Sequence, residues 1–259
     1  RPAVIAHRGA SALAPENTLA AFRRAVELGA DTIEVDVQRS RDGALVVVHD
    51  GTLERTTNVR EVFPRLAPWR VADLTLDELR RLDAGSWKSP RFAGERVPTL
   101  QETLALVRAT GATLQLELKK PGRHPGIVAD LVSALAEAPP APGLVVQSFS
   151  VASMKDLKTR APHLRVGLLG APDAGNLPDL ATWADQVNPQ HRSVGQRYVD
   201  EVHRLGLECL VWTVHSPQAM RRAVRLGVDG VITNRPGQLA TVLSRMGLDP
   251  HGRDEVAAS

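Results

Sequence analysis

Cysteine is almost missing from the chain: Cys209 stands alone, so no disulfide can form within the chain and no zinc cluster built on several thiolates is available. Long apolar runs are missing as well. None approaches the about 18 residues that a membrane-spanning helix needs, so no stable insertion into a bilayer is expected. No segment at the start reads as a secretory signal, which leaves a cytoplasmic location and export after signal removal both open. A dominant charge is lacking too, because 32 Lys and Arg oppose 29 Asp and Glu for a net +3. With the arginines scattered rather than massed on one face, nucleic acid is not expected as a partner. The mild positive balance suits a small anionic substrate, and it suits ordinary solvated arginine equally. Hydrophobic residues at 43% and charged residues at 24% exclude a disordered or fibrous chain. Nothing in these numbers fixes an oligomeric state.

What recurs is a helix end, a glycine and then an apolar strand, at Leu28-Gly29-Ala30-Asp31, Thr110-Gly111-Ala112-Thr113, Leu205-Gly206-Leu207-Glu208 and Leu226-Gly227-Val228-Asp229. Glycine suits the left-handed position that closes a helix, and β-branched runs suit strands buried on both faces. Strands are therefore expected at residues 4–7, 31–37, 113–119, 143–149, 164–169, 184–188, 207–213 and 229–233. Between them, Leu19/Phe22/Val26, Leu100/Leu104/Val107, Ile127/Leu131/Leu135, Tyr198/Val202/Leu205 and Leu239/Val242/Met246 repeat at helical spacing. Strand alternating with helix implies a parallel sheet. Without a Gly-rich nucleotide turn, eight such strands favour an α/β fold of the (β/α)8 TIM-barrel kind over an open doubly wound sheet. The chain is of a length that such barrels reach as one unit, so residues 1–259 are expected to form a single domain. The Gly- and Pro-rich stretch at 170–180 is the weakest repeat, its helix short or missing.

A ninth apolar run at 44–49 follows Asp42-Gly43, a two-residue hairpin signal. With the turn there, Asp36 is expected directly opposite His49, so that Glu34, Asp36 and His49 converge. From 51 to 98 the alternation breaks, and this stretch holds Phe63, Trp69, Trp87 and Phe92. It reads as an inserted cap over a substrate, with Thr75-Leu76-Asp77-Glu78 as a capping box that opens a short helix.

A barrel gathers its chemistry at the C-terminal ends of its strands, where His7, Arg8, Glu34, Asp36, Glu117, Lys119, Gln147, Asn188, Trp212 and Thr233 fall. Three carboxylates aimed into one mouth repel one another unless protonated or neutralised. Glu34, Asp36 and Glu117 offer only oxygen ligands, which matches one hard divalent cation, Mg²⁺ or Ca²⁺. A purely structural ion-pair network with Arg8 and Lys119 is the other reading. Those two cations could equally grip the non-bridging oxygens of a phosphate. His7 and His49, titrating near neutrality, can serve as base and acid across a P–O bond.

The ordered runs His7-Arg8-Gly9-Ala10, Pro15-Glu16-Asn17-Thr18, Glu34-Val35-Asp36-Val37, Val48-His49-Asp50 and Leu53-Glu54-Arg55-Thr56-Thr57 resemble the glycerophosphodiester phosphodiesterase family. Glu117-Leu118-Lys119, Ser148-Phe149, Trp212-Thr213-Val214 and the run at 227–233 extend the resemblance over nearly the whole chain. It implies a barrel that hydrolyses a small-molecule glycerophosphodiester, such as glycerophosphocholine, to glycerol 3-phosphate and an alcohol. Carried over by position, it implies His7 and His49 as the catalytic acid/base pair and Glu34, Asp36 and Glu117 as metal ligands. Arg8, Lys119 and Trp212 fall to the substrate. It further implies attack of the glycerol 2-hydroxyl on phosphorus, with water opening the cyclic phosphate. Two positions depart from the family pattern: His215 replaces a frequent Asn, and Asn234 a frequent acidic residue, neither expected to touch the catalytic set. Trp212 either packs on the glycerol carbons or fills the barrel top. Asn17 is expected to cap the first helix rather than to serve the site.

Three other functions remain compatible with these residues. Lys119 could form a Schiff base in an aldolase-like lyase, although three nearby carboxylates would keep it protonated. The same fold could merely bind a phosphate ester. A barrel phospholipase acting on lysolipid is a third, disfavoured by the lack of an amphipathic basic helix.

Overall fold

Apolar β-branched runs and amphipathic segments alternate in the chain, and each strand buries both faces when the runs pair in parallel and the helices cover them. The computed structural model describes residues 1–137 and 143–248; the rest of the expected single unit lies outside the described residues. Strands β1 (Ala3–His7) and β2 (Thr32–Arg39) flank helix α1 (Leu19–Glu27), and β3 (Leu45–Val47) follows. After the short helices α2 (Val59–Val62) and α3 (Leu76–Leu79) come α4 (Leu100–Thr110), β4 (Thr113–Leu118), α5 (Ile127–Glu137) and β5 (Val145–Ser148). The chain continues through α6 (Val151–Arg160), β6 (Arg165–Leu169), α7 (Leu177–Leu180), β7 (Gln186–Asn188) and α8 (Gln196–Arg204). It closes with β8 (Glu208–Val211), α9 (Pro217–Arg225), β9 (Gly230–Thr233) and α10 (Pro236–Arg245).

Strand order β1-β9-β8-β7-β6-β5-β4-β2, with β1 also paired to β2, closes eight parallel strands into a TIM barrel. Each expected strand falls on one of these, with its ends shifted by a residue or two. The main apolar cluster lies between the strands' outer faces and the helices, where Val35, Val37, Phe22 and Leu104 are buried. A buried side chain such as Phe22 contributes about 2–3 kcal/mol over an exposed one. Inside the barrel the side formed by β1, β8 and β9 is apolar, with Ile5, Leu210 and Ile232 in contact. Toward β4–β7 it is polar: Gln115 Nε2 donates to Gln147 Oε1 at 3.0 Å, and Asn188 Nδ2 donates to the same oxygen at 2.7 Å.

Two features differ from expectation. Helices α6 and α9 are additional to the expected ones; each buries two side chains, Met154 and Leu157 on one and Met220 and Ala223 on the other. Their capping serines Ser150 and Ser216, the latter followed by Pro217, were the readable signal. The hairpin is also one residue longer in its turn. Val37 pairs with Val47 and Gln38 with Val46, so Val48, not His49, stands opposite Asp36. Of the turn residues only Gly43 has positive φ, +91°. A two-residue turn of the primed type needs positive φ at both positions, so the chain adopts the three-residue loop that ends in a left-handed glycine.

Beyond β3 the segment at 51–98 builds a separate apolar cluster of Leu53, Val59, Val71, Leu74, Leu79 and Leu82 against Val46 and Val48. Thr75 and Glu78 exchange both capping-box bonds at the start of α3. In the weakest repeat, a 3-10 turn at Ala174–Asn176 and the four-residue α7 replace a full helix. No helix among the described residues is long and apolar enough to cross a membrane.

Candidate active site

All the candidate side chains lie at the C-terminal end of the barrel. A cavity of about 210 Å³ there is lined by His7, Arg8, Glu34, His49, Glu117, Lys119 and Trp212 among others. Asp36 lies beneath its floor with no exposed surface. The parallel register explains the grouping. His7 pairs with Glu34, and Asp36 with Glu117, and residues paired across neighbouring strands share a sheet face. Ligand atoms of Glu34, Asp36 and Glu117 all lie within 4.8 Å of one another.

The first loop is shaped around this cluster. Arg8 and Gly9 both have positive φ, 57° and 79°, a turn that costs a non-glycine residue roughly 1–2 kcal/mol. A Cβ on Gly9 would stand 2.6 Å from the backbone of Ala21, so only glycine lets the loop lie on α1. The turn aims the Arg8 N–H at Glu34 Oε2 (3.0 Å) and the guanidinium at Asp36 (3.0 Å) and Glu16 (2.9 Å). Lys119 Nζ stands 2.6 Å from Glu117 and 3.5 Å from Asp36.

Three carboxylates thus meet two cations, and among the described residues Glu34 has a backbone amide as its only hydrogen-bond partner. Burial, then the charges of Asp36 and Glu117, push the Glu34 carboxyl well above its ordinary value. Glu117 is pushed up to about 7 by burial and by Asp36, against the pull of Lys119. At Asp36 burial is outweighed by Arg8 and Lys119, and the carboxyl sits at about 2. Asp36 Oδ1 has no hydrogen-bond partner although it is wholly buried. A wholly buried carboxylate with one oxygen that accepts no hydrogen bond, beside two further carboxylates, fits one hard cation. The triad could hold one metal ion.

Both imidazoles present Nε2 to the cavity because Nδ1 is engaged. His7 Nδ1 donates to Asn234 Oδ1 at 2.6 Å, and His49 Nδ1 to Asp50 Oδ1 at 2.7 Å. Burial and then Arg8 lower His7 to about 4, and burial lowers His49 as well. Asn234 therefore touches a candidate catalytic residue, contrary to expectation, because the loop after β9 meets β1 at the closure of the barrel. Asn17 is a second correction. Thr18 caps α1 by accepting from Ala21 N, whereas buried Asn17, at φ 57°, donates from Nδ2 to Asp36 Oδ2 at 2.8 Å. Asn tolerates the left-handed conformation, and its amide is spent on a proposed metal ligand.

The segment at 51–98 contributes no lining residue to this cavity. It reaches the site through Arg55, whose Nε donates to Asp50 Oδ2 at 2.6 Å while Nη1 and Nη2 grip Glu16 at 2.9 and 2.7 Å. Glu16 in turn accepts from Arg8. Trp212 donates to Asn188 O at 2.7 Å and meets Phe149 edge-on, ring centroids 5.8 Å apart. It both covers the apolar barrel interior and lines the cavity.

A TIM barrel whose mouth joins two oriented imidazoles, a carboxylate triad and two basic side chains is an enzyme of the phosphoric diester hydrolase class. Comparison with known proteins narrows this. The sequence profile described as the glycerophosphoryl diester phosphodiesterase family matches residues 7–238. A glycerophosphodiester phosphodiesterase of Caldanaerobacter subterraneus is 40% identical over 94% of this chain and 98% of its own length. One of Bacillus subtilis is 34% identical over 90% of this chain and 83% of its own. Among solved structures, a phosphodiesterase of Oleispira antarctica in complex with the product sn-glycerol-3-phosphate superposes with a TM-score of 0.85. It is 29% identical and covers 94% of this chain and 97% of that one. The chain belongs to the glycerophosphoryl diester phosphodiesterase family.

Proposed function

We propose that this enzyme hydrolyses glycerophosphodiesters to glycerol 3-phosphate and an alcohol, with His7 and His49 as base and acid. The observation that carries this reading is the pair of imidazoles, each tied at Nδ1 and open at Nε2, over one cavity with the carboxylate triad. Burial and the neighbouring Arg8 favour the uncharged form of His7, whereas the Asp50 carboxylate behind His49 supports an imidazolium. His7 is accordingly the base that takes the proton of the glycerol 2-hydroxyl as that oxygen attacks phosphorus. His49 is the acid that protonates the departing alcohol. Water then opens the cyclic phosphate, with the histidines in exchanged roles. Glu34, Asp36 and Glu117 would hold one Mg²⁺ or Ca²⁺, which when bound orients a hydroxyl and lowers its pKa. Arg8 and Lys119 face the non-bridging oxygens, and Trp212 offers an apolar wall to the glycerol carbons.

The segment at 51–98 acts as a cap that seats His49 from behind through Arg55 and Asp50. A Schiff-base role for Lys119 is opposed by its contact with Glu117, since Glu117 and Asp36 raise its pKa despite burial. A coupled glycerol 3-phosphate assay on His49→Ala, with and without EDTA, tests the reading. Loss of general acid catalysis is expected to lower turnover about 10²–10⁴-fold with the circular dichroism spectrum unchanged. Activity within a few-fold of wild type would remove His49 from the reaction.

A further inference from the structure

Immediately beside the catalytic cavity lies a second one of about 400 Å³, whose lining includes Glu117, Lys119, Lys120, Arg123 and Phe149. Glu117, Lys119 and Phe149 line both, so the two adjoin across a shared wall. Glu117 is the only carboxylate on the outer wall, and Lys119 already holds it at 2.6 Å. Lys120 and Arg123 are exposed, and among the described residues neither side chain has a hydrogen bond or an ion pair. They do not hang loosely. Lys120 has a φ of 40°, outside the region a lysine ordinarily occupies, and Pro121 starts a 3-10 turn closed by Arg123 N to Lys120 O at 2.8 Å. Backbone strain kept where two unpaired cations flank a site points to a use at that site. Phe149, 57% exposed, supplies an apolar step between the cavities.

The common part of every glycerophosphodiester is the glycerol phosphate, and the smaller cavity carries the chemistry that acts on it. The variable part is the alcohol, and its far end extends along Phe149 into the outer cavity while the scissile oxygen stays near the histidines. We propose that this outer cavity is a headgroup subsite selecting alcohols that carry a further anion, a phosphate or carboxylate a few bonds from the scissile oxygen. A quaternary ammonium could draw on Phe149 as a cation–π partner, but an exposed contact of that kind is weak, and Lys119, Lys120 and Arg123 all repel it. This inference rests on the reaction proposed above.

Three substrates, glycerophosphoinositol 4-phosphate, glycerophosphoinositol and glycerophosphocholine, separate the cases when kcat/KM is measured for each with Mg²⁺ or Ca²⁺. The expected order is the phosphorylated ester first and the choline ester last. Two solvent-facing cation contacts contribute about a factor of three each. The double variant Lys120→Gln/Arg123→Gln should therefore lose about tenfold on the phosphorylated ester and stay within about twofold on glycerophosphoinositol. Because such contacts are screened, about 0.5 M salt should shrink the wild-type preference similarly. The proposal is overturned if the choline ester is the best substrate, or if the double variant lowers all three alike or none. If no glycerophosphodiester is turned over at all, the reaction itself has been misassigned, and the subsite falls with it.

Discussion

The carboxylate triad makes an unusual demand: the variant Glu34→Gln should be more stable than the wild type without metal, yet inactive. Glu34 is fully buried and within 4.8 Å of two other carboxylates. At an effective dielectric constant of about 20 each such pair costs about 3 kcal/mol, so without a cation the carboxyl takes a proton instead. In the unfolded chain the group ionises at its ordinary 4.5. Holding it protonated therefore costs about 1.4 kcal/mol for every pH unit above that value. A group whose pKa is raised by folding gives its full stability below the unfolded value and loses it as pH rises. The wild type in EDTA should thus weaken from pH 4.5 upward, and Glu34→Gln, which keeps an oxygen for the Arg8 amide, should not. The difference is near zero at pH 4.5 and reaches at most about 3.5 kcal/mol at pH 7. Saturating Mg²⁺ or Ca²⁺ reverses the order, because a ligand at about 1,000 times its Kd adds about 4.1 kcal/mol to the protein that binds it. Thermal unfolding at several pH values, in EDTA and in metal, together with the coupled assay, reads both effects. An EDTA midpoint at pH 7 equal to or below that of the wild type would refute the electrostatic reasoning. Equal stabilisation of both proteins by the cation would remove Glu34 from the metal site.

Two further substitutions test residues that stand behind the site. Asn17→Ala removes the amide from Asp36, and metal affinity by titration calorimetry should fall about 10–100-fold; unchanged affinity would make Asn17 a turn residue only. At Asp83 burial opposes the charge, but the N–H groups of Ser86, Gly94 and Gly85 and the Ser86 hydroxyl outweigh it and hold the carboxyl at about 2. The sign is opposite to that of Glu34: this stability is present above the ordinary 3.8 and is lost as pH falls through about 2. Asp83→Asn should weaken the segment at 51–98 by about 1–3 kcal/mol at pH 7, seen as faster limited proteolysis there, with the gap closing in acid.

Much of the barrel could be read from the chain because its signals are local. The glycines at 29, 111, 206 and 227 all take positive φ, and the apolar runs that follow them are strands. Helix α6 escaped because few apolar side chains mark its inner face, whereas α9 does carry a helical pattern, Ala219, Met220, Ala223 and Val224 against Arg221, Arg222 and Arg225. The hairpin failed by one residue for a different reason. Asp42-Gly43 marks a turn but does not fix whether one or both residues take left-handed angles, and that choice sets every pairing after it. His49 still reaches the cavity, since it lies past the end of β3, where the ladder no longer dictates its direction.

The site divides along the same line. His7, Glu34, Asp36 and Glu117 are on strands, and Arg8 and Lys119 directly follow strand ends, so strand register alone brings them together. Asn17, Asp50 and Asn234, which fix Asp36, His49 and His7, come from loops whose course depends on the closed barrel. A strand has a period that sequence displays; a loop amide that meets a residue 227 positions away has none. Two histidines that look alike in the sequence thus stand against different partners, an amide oxygen behind His7 and a carboxylate behind His49, and the opposite roles proposed for them draw on neighbours that only the fold supplies.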